Sequence, residues 1–223
     1  RMGSECFYSY VEKFGYFEKT GIDLPSEAGC IFHEKENMGS TELATASFGQ
    51  RFKVSIISQL RAVAAVANGG NLVEPYLVDK IIDKDGNTVK EHTVKVLGRV
   101  MSEETANKVS DILEEGVSGD GGAKNAYVEG YYVAAKTGTS EKFDVLDANG
   151  KSYLRIGSTV AFSKSEGRNL AMIIVVDEPQ SQVKYGSVVA APYISAFLNE
   201  ALPYLEFKST KENDTIALND YVG

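Results

Sequence analysis

The chain is poor in residue types on which common binding sites depend. Its 223 residues include no tryptophan, two cysteines, two histidines and five prolines. Two cysteines, Cys6 and Cys30, are too few for a disulfide scaffold, so cysteine usage does not indicate a compartment. Cys30 and His33 form a lone C-x-x-H, and the only other histidine is His92. Because a zinc site usually needs four ligands, we expect no metal site.

Positive charge and long apolar runs are also scarce. The chain has 23 Lys and Arg against 31 Asp and Glu, a net charge of -8. Binding to nucleic acid depends on clustered Lys and Arg, so we expect no nucleic-acid partner. No stretch reaches the roughly 18 consecutive apolar residues of a membrane-spanning helix. With 43% hydrophobic and 24% charged residues, the composition is that of a globular chain that buries a core.

The first half of the chain has the pattern of helices joined by loops and one hairpin. Helical spacing of apolar residues predicts helices over 4–14, 54–68 and about 102–117. Runs at 76–82 and 88–98 predict two strands that meet at the turn signal Asp85-Gly86. The 54–68 helix is predicted to bury an apolar stripe formed by Ile56, Ile57, Leu60, Val63, Ala64 and Ala67.

The second half has the pattern of an antiparallel sheet. Apolar runs at 131–139, 154–163 and 169–177 predict three adjacent antiparallel strands, since polar turns join them. A helix over 186–202 is predicted to pack against one face of that sheet. The fold class is therefore α+β, with an antiparallel sheet flanked by helices.

The strongest chemical signal lies on the first of these strands, at Lys136-Thr137-Gly138-Thr139. Lys-Thr-Gly is one of three motifs of serine acyl-transferases that act on penicillin; the others are Ser-x-x-Lys and Ser-x-Asn. Because side chains alternate along a strand, Lys136 and Gly138 share one face and Thr137 and Thr139 the other. Lys136 supplies a cation, and Gly138 lets a substrate lie against the strand. The backbone N–H of Thr139 suits a developing oxyanion, and its hydroxyl suits a substrate carboxylate.

Four segments together resemble the class B penicillin-binding proteins of the division and sporulation type. They lie at 14–27, 46–60, 67–75 and 130–140, and the likeness extends over about residues 4–205. The first segment contains another Lys-Thr-Gly, at Lys19, to which we assign no catalysis because it belongs to a loop segment of the family. One departure is Gly49-Gln50-Arg51, where the family pattern is Gly-Gln-Gly. Another is Glu141, where many relatives carry a small or amide residue.

The resemblance implies a peptidoglycan D,D-transpeptidase with the penicillin-binding and serine β-lactamase-like fold. Lys136 would act in catalysis and Thr137, Gly138 and Thr139 in substrate binding, with no cofactor and no metal. The implied partners are peptidoglycan stem peptides, β-lactam antibiotics and the cell-wall machinery of division or sporulation. The implied location is the outer side of the cytoplasmic membrane, with an upstream helix as anchor.

The other two motifs are not where the family has them. Ser-x-Asn is absent, and Ser-x-x-Lys occurs only at Ser181–Lys184, after the Lys-Thr-Gly strand. We therefore expect the fold to be incomplete, with the nucleophile in the missing N-terminal part of the same domain. That part is then a partner of this chain, and the chain alone is expected to be inactive.

The domain boundaries follow from composition and resemblance. Residues 1–207 are assigned to the C-terminal part of the transpeptidase domain, and the polar stretch 208–214 to a linker. Residues 215–223 resemble the opening of a PASTA repeat.

Two alternative functions stay open. A serine β-lactamase or D,D-carboxypeptidase shares the Lys-Thr-Gly strand, but the segments at 14–27 and 46–75 speak against it. A non-catalytic module that binds the cell wall or penicillin would also lack the serine. The residues encoded directly upstream discriminate between the enzyme and the binding module.

Overall fold

The structure is a computed structural model that describes residues 2–142, 146–150 and 152–210. The chain divides into two compact units, Arg1–Glu103 and Glu104–Gly223. In the described part of the chain, no helix combines the length and the apolar character needed to cross a membrane. No cluster of three or more His, Cys, Asp or Glu side chains in that part is arranged to hold a metal ion.

The first unit contains short helices and two small antiparallel sheets. Its helices and strands are α1 (Ser4–Lys13), α2 (Ser40–Ala46), α3 (Ile56–Ala67), β1 (Asn71–Val73), β2 (Lys80–Ile82), β3 (Thr88–Glu91) and β4 (Val96–Arg99). The predicted helices at 4–14 and 54–68 are confirmed, and so is the hairpin, as β2 pairs with β3 around Gly86 at φ 85°. The 88–98 prediction runs too far, because its end is a separate strand, β4, which pairs with β1. Helix α2 was not predicted.

The buried face of helix α3 overlaps the predicted apolar stripe only in part, because Ala67 is buried while Ile57, Leu60, Val63 and Ala64 are half-buried. Ile56, at the start of that stripe, is 56% exposed, whereas Arg61 is only 4% exposed. The Arg61 guanidinium donates to the carbonyl oxygen of Gly15 at 2.6 Å, just beyond the end of α1. Carbonyl groups at the C-terminus of a helix lack partners within the helix and carry partial negative charge, so they attract a cation. The buried face therefore includes an arginine, with Ser58, Ala62, Ala65 and Ala67 beside it.

The first turn of α3 depends on a serine cap that lends itself to a test. The Ser55 side chain accepts a hydrogen bond from the backbone N–H of Ser58 at 3.1 Å. Ser55→Ala is expected to lower the free energy of unfolding by about 1 kcal/mol, measured by urea titration, because that N–H loses its partner. The control is Ser9→Ala, since the Ser9 hydroxyl bonds only back to the Cys6 carbonyl within α1. An equal loss in both variants would contradict the capping role.

The second unit is a three-stranded antiparallel sheet with helices. Its elements are α4 (Glu103–Ser118, beginning at the boundary residue), β5 (Ala134–Glu141), β6 (Arg155–Ser165), β7 (Arg168–Asp177), α5 (Gly186–Val189) and α6 (Ala191–Tyr204). The sheet order is β5-β6-β7, so the three predicted strands and their antiparallel pairing are confirmed. The first strand begins at residue 134 rather than 131. The predicted helix over 186–202 is interrupted at Ala190 and forms α5 and α6.

The main core of the second unit lies between the sheet and α6. Ala135 of β5 and Ala161 of β6 face Ile194 and Leu198 of α6, and all four are almost fully buried. Small residues on the strands allow the large side chains of α6 to approach the sheet closely. The predicted packing of the C-terminal helix against one sheet face is therefore confirmed.

A lysine joins α4 to the sheet. The Lys164 ammonium, on β6, donates to the Ser110 hydroxyl at 2.7 Å, and that hydroxyl donates to the Ala106 carbonyl at 2.7 Å. Burial lowers the pKa of Lys164 from its usual value, with the charge of Asp111 acting in the opposite direction. Lys164 and Ser110 thus form a polar contact between β6 and α4.

The start of the predicted linker is hydrogen-bonded to the second unit. The Thr210 N–H donates to the Gly130 carbonyl at 2.7 Å, and the Lys208 N–H to the Ser165 hydroxyl at 3.2 Å. Residues 211–223, with the rest of the linker and the PASTA-like stretch, lie outside the described residues.

Candidate active site

The four predicted site residues are consecutive on β5, at one edge of the described sheet. Lys136, Thr137, Gly138 and Thr139 lie opposite Val160, Thr159, Ser158 and Gly157 of β6. The other side of β5 pairs with no strand among the residues that the structure describes. An edge strand offers backbone N–H and C=O groups to an incoming chain.

The register shows which backbone groups point to that edge. Just past β5, the Lys142 N–H bonds to the carbonyl of Leu154, the residue opposite it in the register. In an antiparallel ladder, hydrogen-bonded and non-hydrogen-bonded pairs alternate. Lys136 and Gly138 therefore direct their backbone groups to β6, while Thr137 and Thr139 direct theirs to the edge. An N–H at Thr139 in this direction suits an oxyanion that forms beside the strand.

Lys136 carries its charge to the same edge. Its side chain is exposed, and its ammonium donates to the carbonyl oxygen of Thr137 at 2.8 Å. Since the Thr137 carbonyl points to the edge, this bond places the cation beside the N–H of Thr139. A cation and an N–H donor thus lie together where a carbonyl substrate would approach the strand.

The two faces of β5 have different surroundings. Thr137 and Thr139 are on the face that carries α5 and α6, as is Thr159 of β6, which is fully buried. Lys136 and Gly138 are on the opposite face, as the alternation of the sequence predicted. A Cβ at Gly138 would lie 2.7 Å from the Ser158 hydroxyl oxygen. The glycine therefore leaves this face of the strand without a side chain at that position.

Gly186, the first residue of α5, is hydrogen-bonded to the threonine side chains on one face of β5 and β6. The Gly186 N–H donates to the Thr139 hydroxyl oxygen at 3.1 Å, and the Thr159 hydroxyl donates to the Gly186 carbonyl at 3.2 Å. A Cβ at Gly186 would lie 2.3 Å from the Gly138 carbonyl oxygen. Sequence reasoning missed Gly186; its position at the start of a predicted helix was the available signal. It orients the Thr139 hydroxyl that we expected to meet a substrate carboxylate.

A surface cavity of about 340 Å³ adjoins Thr139. Its lining is polar and aromatic except for one valine, and consists of Thr139, Tyr153, Arg155, Gln182, Val183, Lys184 and Tyr185. Within it, Arg155 forms an ion pair with Glu141 at 2.8 Å, directly across the β5–β6 ladder. Glu141, noted as a departure from the family pattern, therefore has a cationic partner in this chain.

Neither of the two misleading motifs forms a catalytic arrangement. At Lys19-Thr20-Gly21, the backbone N–H groups of Thr20 and Gly21 bond to the Glu27 carboxylate at 2.7 and 3.3 Å, so this segment is a folded loop. At Ser181–Lys184, the Ser181 hydroxyl donates to the Val183 carbonyl, and the Lys184 ammonium lies 3.4 Å from the Tyr153 carbonyl oxygen.

Arg51 and Cys30, two further residues noted in the sequence, have contacts that fit a structural role. Arg51, which replaces a glycine of the family pattern, has φ 67°, so the backbone keeps a conformation that favours glycine. Its guanidinium pairs with Glu42 at 3.3 Å. The Cys30 sulfur accepts the Ser55 N–H at 3.4 Å, and both cysteines are free thiols.

Comparison with known proteins identifies the family of the chain. The family model described as the penicillin binding protein transpeptidase domain matches residues 1–199. The chain belongs to this transpeptidase family. The resemblance inferred from the four sequence segments is thereby confirmed, and with it the α+β fold class.

Relatives of this chain include proteins named for sporulation and for peptidoglycan synthesis. Stage V sporulation protein D of Bacillus subtilis is 37% identical over 212 residues, which cover 95% of this chain and 32% of that protein. A peptidoglycan D,D-transpeptidase FtsI homolog of Mesostigma viride is 25% identical over 218 residues, covering 91% of this chain and 36% of that protein. The chain thus spans about a third of the length of these relatives.

Solved structures share the fold. The apo transpeptidase domain of penicillin-binding protein 3 from Burkholderia pseudomallei is 26% identical with a TM-score of 0.75, covering 92% of this chain and 58% of that chain. Penicillin-binding protein 3 from Mycobacterium tuberculosis, complexed with aztreonam, has a TM-score of 0.80 at 23% identity, covering 93% of this chain and 48% of that chain. The latter likeness shows the fold of the penicillin-binding domain.

Proposed function

We propose that this chain forms the Lys-Thr-Gly wall of a peptidoglycan D,D-transpeptidase that works through an acyl-serine intermediate and binds β-lactams. The main support for this proposal is that the Lys136 ammonium and the N–H of Thr139 lie on the same edge of the sheet. Relatives named as peptidoglycan D,D-transpeptidases support the substrate class. The complexes of a structural relative with aztreonam and with ampicillin support the inhibitor class.

The proposed reaction divides one amide exchange into two acyl transfers. A serine oxygen attacks the carbonyl carbon of the D-Ala–D-Ala bond, and the N–H of Thr139 stabilises the oxyanion. The C–N bond then breaks, and the terminal D-Ala leaves as an amine that has taken up a proton. An amine of a neighbouring stem peptide attacks the acyl-serine carbonyl, forms the cross-link and returns the serine hydroxyl.

The side chains of β5 divide the work of binding the donor peptide. Lys136 brings a positive charge to the edge and offsets negative charge that develops in the transition state. Gly138 has no side chain beside the Ser158 hydroxyl, so a peptide backbone can approach the strand closely. The Thr139 hydroxyl, held by the Gly186 N–H, is directed to the carboxylate of the donor, and Thr137 borders the same edge.

The setting of the reaction follows from the same proposal. Stem peptides lie outside the cytoplasmic membrane, so the parent protein is placed on its outer side, with an upstream helix as anchor. The similarity to stage V sporulation protein D favours a role in the cell-wall machinery of sporulation over that of division. The domain limits proposed are 1–207, followed by a linker over 208–214 and a PASTA-like segment over 215–223.

The proposal is tested by labelling with a fluorescent penicillin. This chain alone is expected to form no covalent adduct by intact mass, because Ser181 is bonded to the Val183 carbonyl and has no lysine at its hydroxyl. The same chain, joined to the segment that precedes it in its parent protein, is expected to be acylated at a Ser-x-x-Lys serine. Stable acylation of the isolated chain would refute the assignment of the nucleophile. A joined protein that stays unlabelled would favour a non-catalytic binding module.

A further inference from the structure

The segment that links β7 to α5 is held at both ends by β5 and the residue after it. We call residues 178–185 the β7–α5 connection. At its start, the Glu178 carboxylate accepts a hydrogen bond from the Lys142 ammonium at 2.6 Å. At its end, the Gly186 N–H donates to the Thr139 hydroxyl at 3.1 Å. The two anchoring residues are thus only three positions apart in the sequence.

Lys142 joins the ends of all three strands. Its ammonium also contacts the Asp177 carboxylate at 3.0 and 3.2 Å, at the end of β7. Its backbone N–H bonds to the Leu154 carbonyl at 3.1 Å, and its carbonyl accepts the Ser152 hydroxyl at 2.5 Å, just before β6. The Lys142 side chain is only 19% exposed, whereas Asp177 and Glu178 are 61% and 41% exposed, so solvent reaches these ion pairs from the carboxylate side.

Glu178 has a backbone conformation that needs such support. Its φ of 52° lies in the left-handed region, which costs a residue with a side chain about 1–2 kcal/mol. The conformation is held from two sides, because the Glu178 N–H bonds to the Arg155 carbonyl at 3.0 Å while its carboxylate is bound by Lys142. Without the ammonium, the turn would keep its bonds to the Arg155 carbonyl and the Gln180 amide, but the Glu178 carboxylate would lose its partner.

The connection forms one wall of the cavity beside the site. Val183, Lys184 and Tyr185 line it together with Thr139 and Arg155. Hydrogen bonds inside the connection are local, as in the bond of the Gln180 amide to the Glu178 carbonyl at 3.0 Å. Apart from the long bond of the Lys184 ammonium to the Tyr153 carbonyl at 3.4 Å, the position of the wall therefore depends on its two anchored ends.

We propose that Lys142 is a positioning residue for ligand binding at the Lys-Thr-Gly strand. Through Glu178 and Asp177 it holds the β7–α5 connection where Lys184 and Tyr185 face the Thr139 side of the cavity. This role rests on the proposed transpeptidase function. The Lys142 ammonium is bound to two carboxylates and has no contact with the reacting carbonyl, which meets Lys136 and the N–H of Thr139 at the strand edge. We therefore expect Lys142 to affect ligand binding and not the acylation step.

The experiment uses the complete domain, in which this chain is joined to its preceding segment. Acylation by a fluorescent penicillin is followed at a series of concentrations, which separates the binding constant from the acylation rate constant. Lys142→Met is expected to raise the concentration for half-maximal rate about tenfold and to leave the maximal rate within about twofold. Lys142→Arg keeps the charge and is expected to stay within about threefold of the parent in both constants.

The control removes a solvent-exposed lysine–carboxylate ion pair elsewhere in the same unit. Lys108 and Glu104 pair at 2.7 Å on the exposed face of α4, so Lys108→Met is expected to change neither constant. If Lys142→Met does not fold, Glu178→Gln tests the same bond and is expected to raise the half-maximal concentration about threefold. An unchanged binding constant in Lys142→Met or Glu178→Gln, or no rescue by Lys142→Arg, would overturn the positioning role alone. A parent domain that is never acylated would instead overturn the proposed function and this role with it.

Discussion

Replacing Lys136 with alanine is expected to slow acylation of the complete domain by a fluorescent penicillin by about 10²-fold or more, the scale of losing one preorganised electrostatic group. The Lys136 ammonium lies 2.8 Å from the Thr137 carbonyl oxygen, at the edge to which the N–H of Thr139 points. Because it is held in place before the substrate arrives, its effect on developing negative charge needs no reorganisation during the reaction.

The chain supplies its own control for this variant. Lys19 begins the other Lys-Thr-Gly sequence, in a loop that the Glu27 carboxylate holds through the N–H groups of Thr20 and Gly21. Lys19→Ala is expected to leave the second-order rate constant of acylation within about twofold of the parent. The assignment of Lys136 would be wrong if both alanine variants acylated at similar rates while their melting curves matched that of the parent.

Replacing Gly186 with alanine is expected to lower the free energy of unfolding by about 3 kcal/mol, the upper end of the usual cost of overpacking. The added Cβ would lie 2.2 Å from the Ser158 carbonyl oxygen and 2.3 Å from the Gly138 carbonyl oxygen. Both are backbone atoms of the paired strands β5 and β6, so they do not move aside as the end of a flexible side chain does. Helix α5 must therefore shift, and the bonds of Gly186 to Thr139 and Thr159 are weakened.

Gly116→Ala is the matched control for this effect. Gly116 lies inside α4, and a Cβ there would meet nothing within 4 Å. Alanine is expected to stabilise that helix by about 0.5–1 kcal/mol, because glycine loses more conformational freedom on folding. Urea titrations of both variants measure the difference. A Gly186→Ala protein as stable as the parent would show that α5 does not need this close approach.

Much of the order of the elements, and the strand that carries the proposed site residues, could be predicted from the sequence. Turn signals such as Asp85-Gly86 and apolar runs such as 154–163 act over a few residues, so they define strands and hairpins without knowledge of the rest of the chain. The site residues on β5 are consecutive, and the alternation of a strand separates Lys136 from Thr137 whatever its neighbours are. Family membership was likewise predictable, because its segments are local patterns.

Errors arose where distant residues decide the outcome. The buried face of α3 follows from the carbonyl of Gly15, which Arg61 meets across a separation of 46 residues. No apolar periodicity contains that contact, so the predicted stripe included the exposed Ile56 and missed Arg61. The limits of the strand at 88–98 were wrong for the same reason, since β4 is defined by its pairing with β1 rather than by its own composition.

By itself, the amino-acid sequence determined that this protein has an α+β fold and carries Lys136 to Thr139 on one strand. Only the tertiary structure decided that β5 lies at an edge of the described sheet and that the N–H of Thr139 points to it. It also decided that Gly186 and Lys142 anchor the β7–α5 connection to the same strand end. The physical reason is that register, edge position and close backbone packing are relations between segments far apart in the chain, and a local pattern does not encode them.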